Sequence, residues 1–114
     1  MHIVETSAGR MFTIPCEAIF NNHASVYRCA LVGVGDKPNQ TPVIIVEPEV
    51  ECFPKNTATR QQFADELRQL ATANPLTDRI ETFLFHRSLP VDIRHNVKIN
   101  REQLAGWATN QLNK

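Results

Sequence analysis

Along the 114-residue chain the spacing of apolar and polar positions changes several times, and each change marks an element. In "TIPCEAIFNNH", Ile14, Ala18 and Ile19 share one helical face. Thr13 can cap that helix and Pro15 fits its first turn. "SVYRCALVGVG" then has the β-branched, apolar character of a strand, closed by Gly35. "TPVIIVEPE" is apolar without alternation from Val43 to Val46, as a strand buried on both faces should be. The intervening "DKPNQ" has turn composition, so the two strands form an antiparallel hairpin. A smaller hairpin is predicted over "HIVETSAGRMFTI", with Ser7, Ala8 and Gly9 at its tip.

"VECFPKNTAT" reads as a loop. Thr59 with Gln62 three positions on is a capping-box pattern. Phe63, Leu67 and Leu70 then give the helix one apolar face, and it should stop at Asn74-Pro75. A third strand is predicted from Ile80 to His86, followed by a loop centred on Pro90. Asn100 caps a final helix whose apolar stripe is Leu104, Trp107, Ala108 and Leu112. These elements predict one α+β domain over residues 1–114: a small antiparallel or mixed sheet of about three strands plus the N-terminal hairpin. Three helices pack against the sheet, on one face.

Composition narrows the function more than the fold. Hydrophobic residues make up 42% and charged residues 21%, an ordinary globular balance. Lys plus Arg equals Asp plus Glu at 12 each, so the whole molecule has no bias toward nucleic acid or an anionic membrane. One Trp and one Tyr offer no stacking pattern for bases. No apolar run is long enough for a membrane span, and "MHIVETSAGR" is not a secretion signal. Three cysteines without a CxxC pair suggest reduced, mostly buried thiols in a cytoplasmic protein. The Gly-rich phosphate loops, HExxH and GxSxG are absent, and the histidines at 2, 23, 86 and 95 are scattered, so no metal site is expected. Glu47, Glu49 and Glu51 read as a solvated strand edge, and Glu17 as compensation for a helix dipole.

The exception to charge balance is "RHNVKINR". From His86 to Arg101 the chain carries Arg87, Arg94, Lys98 and Arg101 against the single acid Asp92, and leads into a helix N-terminus at Asn100. Two readings stand. It is a solvated loop whose charges balance "VEPEVE", or a place where phosphate or carboxylate would bind.

The ordered set "TIPCEAIFNNHASV", "ALVGVG", "PVIIVEPE", "ETFLFHRSLP" and "NVKINREQL" resembles the C-terminal lid domain of the acyl-adenylate-forming (AMP-dependent synthetase/ligase) superfamily. Glu17, His23 and Val26, then Leu31 to Val34, then Leu89-Pro90 and Lys98-Ile99-Asn100-Arg101-Glu102-Gln103-Leu104 match its motifs in order. "VETSAGRMFTIPCEAIF" and "FLFHRSLPVDIRHNVKINREQLAGWA" are most similar to the olefin-biosynthesis β-lactone synthetases and fatty-acid-ligase-like branch.

The resemblance implies a mobile domain of an ATP-dependent ligase, which turns carboxylate and ATP into acyl-AMP and pyrophosphate, then forms a thioester or β-lactone. Lys98 falls on the lysine that contacts the α-phosphate and substrate carboxylate during adenylation. Arg94 and His95 are candidates for further phosphate contacts, and Gly9 for the loop that enters the active site in the second half-reaction. ATP or AMP and Mg would be held mainly by an N-terminal domain absent from this chain, with coenzyme A a candidate second-step substrate. The implied partners are that domain and a carboxylic acid, with no nucleic acid and no membrane span. The family hinge falls around His2 to Val4, so the chain reads as a lid from a longer enzyme, inactive alone. Val97 replaces the family's glycine before the lysine, and the spacing from Pro90 to Lys98 is longer than usual. The alternative is a free-standing module that binds an anion or an acidic partner without catalysis.

Overall fold

Val43, Ile44, Ile45 and Val46 are all buried, because the strand that holds them is central and covered on both faces. The computed structural model describes residues 3–92 and 98–113. A hairpin, β1 (Ile3–Thr6) and β2 (Gly9–Phe12), leads into helix α1 (Thr13–Asn21). Strands β3 (Val26–Val34) and β4 (Thr41–Pro48) pair antiparallel, Leu31 opposite Ile44. After a short 3-10 turn at Val50–Cys52, helix α2 (Thr57–Thr72) carries the chain to β5 (Thr82–Phe85), which pairs parallel with β4. A parallel neighbour requires such a crossover. The sheet order is β3-β4-β5. A two-residue ribbon, β6 (Val91–Asp92) with β7 (Lys98–Ile99), precedes helix α3 (Arg101–Leu112).

Strand alternation splits the core in two. Cys29, Leu31, Ile44, Val46, Phe83 and Phe85 face one side, with Cys16 and Phe20 of α1 and Phe63, Leu67 and Ala71 of α2. Ala30, Val32, Val43 and Ile45 face the other, with Leu89 and with Leu104 and Ala108 of α3. The α+β class and the mixed three-stranded sheet with its N-terminal hairpin agree with the expectation. The layering does not: helices cover both faces, because the non-alternating apolar run of β4 needs cover on both.

Three local expectations are also corrected. Helix α1 buries Thr13, Cys16, Glu17 and Phe20, and leaves Ile14 exposed. Both faces have helical spacing, and the Phe20 ring decides by packing edge-on to Phe83 at 5.7 Å. Helix α2 is capped by Asn56, with Thr59 in the third helical position. The Asn56 side chain accepts from Thr59 N at 2.9 Å, and the Thr59 hydroxyl accepts from Asn56 N at 3.2 Å. The stripe of α3 ends at Ala108, since Leu112 is exposed. Gly33 leaves room for the Gln40 side-chain amide, which a Cβ there would meet at 2.6 Å and push aside. That side chain accepts from Glu5 N at 3.1 Å, and Gln40 N donates to the Glu5 carbonyl at 2.8 Å, tying β1 to the sheet.

Candidate functional site

The basic segment runs from the end of β5 to the start of α3. Between these points β6 and β7 pair antiparallel, Asp92 opposite Lys98 and Val91 opposite Ile99. Asn100 N donates to the Pro90 carbonyl at 2.8 Å and closes the base of the ribbon. The Asn100 side chain then accepts from Gln103 N at 3.1 Å and starts α3, as the cap pattern predicts. Lys98 is thus placed by its backbone on the ribbon's return strand. Arg94, His95 and Val97 lie outside the described residues, as does His2 of the expected hinge.

Two buried carboxylates hold the ends of this segment, and neither behaves as the sequence suggests. Glu17 is not a first-turn dipole residue. It is 6% exposed and lies at the open edge of β3, where its Oε2 accepts from Leu31 N at 2.8 Å. The same carboxylate takes Arg101 in a two-toothed grip, Nη2 to Oε1 at 2.7 Å and Nε to Oε2 at 3.1 Å. Glu47 is not a solvated edge residue. It is 9% exposed, and its Oε1 accepts from Arg28 Nε at 2.7 Å and from Leu89 N at 2.8 Å. Arg28 Nη2 also reaches the Leu89 carbonyl at 3.4 Å, so both backbone groups of Leu89 are held.

The positive charge of the segment is therefore divided. Arg101 is neutralised by Glu17, and the Arg87 guanidinium lies 3.8 Å from the centre of the Phe53 ring. His86 packs edge-on to Trp107 at 4.6 Å, and its Nδ1 accepts from Ser88 N at 3.0 Å. Burial lowers its pKa, opposed by the charge of Glu47.

Other motif positions serve the scaffold. His23 accepts from Ser25 N through Nδ1 at 3.0 Å and so donates through Nε2 to Glu66 at 2.8 Å. Its ring stacks on Phe63 at 5.1 Å, joining the end of α1 to α2. Cys29 donates to the Glu17 carbonyl at 3.4 Å; burial, with the Glu17 charge adding, raises its thiol pKa well above the ordinary value. Gly9 is exposed at the hairpin tip with φ +130, where an L side chain would be strained. The Thr6 hydroxyl donates to its carbonyl at 2.9 Å. Among the described residues no three His, Cys, Asp or Glu side chains gather to hold a metal ion, and no helix is long and apolar enough to cross a membrane.

No protein-family model matches the chain. Solved structures do. An acyl-CoA synthetase from Brucella canis superposes with a TM-score of 0.75 at 20% identity, over 99% of this chain and 20% of that one. An amide bond synthetase from Marinactinospora thermotolerans gives 0.70 at 20% identity, over 92% of this chain and 20% of that one. The fold is accordingly that of one domain in the acyl-activating ligases. Within that class the sequence is similar to olefin β-lactone synthetases. It is 46% identical over 110 residues, 96% of the chain, to the one from Xanthomonas campestris pv. campestris. It is 41% identical over 111 residues, 97% of the chain, to the one from Stenotrophomonas maltophilia. The chain spans 19% of the length of each. The resemblance read from the motifs, to the acyl-adenylate-forming superfamily and its β-lactone synthetase branch, is borne out by sequence and fold.

Proposed function

We propose that this chain is the mobile C-terminal domain of an ATP-dependent acyl-activating ligase, and that Lys98 is its contribution to adenylation. The observation that carries the reading is 46% identity over 110 residues to an olefin β-lactone synthetase, across the ribbon that bears Lys98. In the first half-reaction a substrate carboxylate oxygen attacks the α-phosphorus of ATP and pyrophosphate leaves. Negative charge grows on the phosphoryl oxygens, and a compact ammonium delivered there favours the transition state over the ground state. ATP and Mg would be held by the rest of the enzyme, which also forms the acyl pocket and is this domain's main partner. Arg94 and His95 are proposed as added phosphate contacts, and Gly9 as part of the loop presented in the second half-reaction.

The relatives' activity favours a β-hydroxy acid as substrate. Its hydroxyl oxygen would bond to the activated carbonyl carbon, lose its proton and expel AMP, closing a four-membered lactone. A thioester-forming ligase would instead use coenzyme A as the nucleophile. The test is pyrophosphate release by the full-length protein over a panel of carboxylic and β-hydroxy acids. Lys98→Ala should lower adenylate formation by about a hundredfold or more while ATP still binds. Wild-type pyrophosphate release by that variant would remove Lys98 from the mechanism. The 114-residue chain alone should release none.

A further inference from the structure

The segment from Leu89 to Arg101 has one buried carboxylate at each end. Glu47 fixes the exit by holding Leu89 N at 2.8 Å, with Arg28 closing on the Leu89 carbonyl. Glu17 fixes the return by gripping Arg101, three positions after Lys98 and 84 away from Glu17 in sequence. Both carboxylates also bind the sheet itself, through Leu31 N and through Arg28 of β3. The ribbon is thereby referenced to the sheet at two points.

Stability alone is a poor reason for this arrangement. A buried ion pair gains little over a well-packed apolar replacement, because removing both charges from water offsets their attraction. Directional, two-toothed hydrogen bonds do supply one register for the partner. We infer that Glu17 and Glu47 are positioning residues, which set where the Lys98 ribbon projects from the sheet. The inference rests on the assignment of Lys98 as the adenylation lysine.

The experiment uses the full-length protein with MgATP and an accepted β-hydroxy acid. Glu17→Gln and Glu47→Gln are measured singly and each combined with Lys98→Ala. Misplacing the ammonium by about an ångström should lower kcat for pyrophosphate release roughly ten- to a hundredfold. KM for ATP, and the rate at which preformed acyl-adenylate is consumed, should stay within about twofold. In the Lys98→Ala background the glutamate substitutions should cost nothing more, since they act through a group already gone. Equal losses with and without Lys98, or parallel losses in both half-reactions, would reduce the two carboxylates to general supports of the fold. Normal pyrophosphate release by Lys98→Ala alone would overturn the lysine assignment and the inference with it. If Glu17→Gln does not accumulate as folded protein, Arg101→Lys keeps the charge, gives up the two-toothed geometry and carries the same expectations.

Discussion

The two faces of the sheet are built differently. The face under α1 and α2 buries fifteen apolar side chains among the described residues, with aromatic contacts between Phe20 and Phe83 and between Phe63 and Phe85. The face under α3 buries seven among the described residues, two of them alanines, and its edges are held by the Glu17 and Glu47 anchors. One face supplies cohesion. The other holds a single helix and the Lys98 ribbon in register with few buried apolar groups and directional polar contacts. A segment proposed to present a reacting group to another domain gains from that construction, because polar anchors specify a pose more sharply than they add stability.

Core truncations should expose this asymmetry most strongly. Phe20 is fully buried between α1 and the sheet, so Phe20→Ala removes a large ring from the crowded side and should cost about 3–5 kcal/mol. Leu104→Ala removes a smaller side chain from the smaller buried cluster and should cost about 2–3 kcal/mol. Urea unfolding of the two variants measures both. Equal losses would mean that the α3 face is as cohesive as the other and that the comparison fails.

The anchors should follow, and should differ from each other. Glu17→Gln leaves Arg101, with a side chain 15% exposed, short of its counter-charge and should cost about 3 kcal/mol. Glu47→Gln leaves Arg28, which is 28% exposed and partly hydrated, and should cost about 1–2 kcal/mol. Denaturant midpoints at constant slope would verify the order. A reversal would place the main anchor at Leu89 rather than at Arg101.

How much of this could be read from the residues depends on range. The unbroken apolar run of β4 and the Asn100 cap are local signals, and both are seen in the structure. The cap falls at Asn56, three positions before the expected Thr59, because of a reciprocal bond between the two that composition does not reveal. Ile14 and Phe20 compete for the same helix, and only the neighbouring Phe83 settles the face. The Glu17–Arg101 pair was harder still. Acids are expected at the surface, and the partners lie 84 positions apart. One signal was present: both residues fall inside the quoted family motifs, the first with His23 and Val26, the second with Lys98. Two motif positions of opposite charge on elements that must meet at a sheet edge are a reason to test for a pair. The position of Lys98 in the chain was legible, whereas its place on a ribbon clamped at both ends required the fold.

The smallest effect concerns His86, which lies where the α3 face meets the exit of the ribbon. Its Nδ1 is already an acceptor for Ser88 N, and its ring rests against Trp107, so the folded chain favours the neutral imidazole. Burial accordingly lowers its pKa from 6.5, with Glu47 opposing. The unfolded chain then takes up a proton at higher pH than the folded chain does, so unfolding gains protons as the solution is acidified. The contribution of His86 to stability is complete above the unfolded value of 6.5 and is lost as pH falls through the lowered folded value. Urea unfolding of the chain and of His86→Gln at a series of pH values between 7 and 5 should show the unsubstituted chain weakening more steeply. The difference should be smaller than that of either glutamate substitution, since the ring is only partly buried. Parallel pH curves would show that protonation of His86 does not oppose folding, and that acid leaves the α3 face as firmly held as the other.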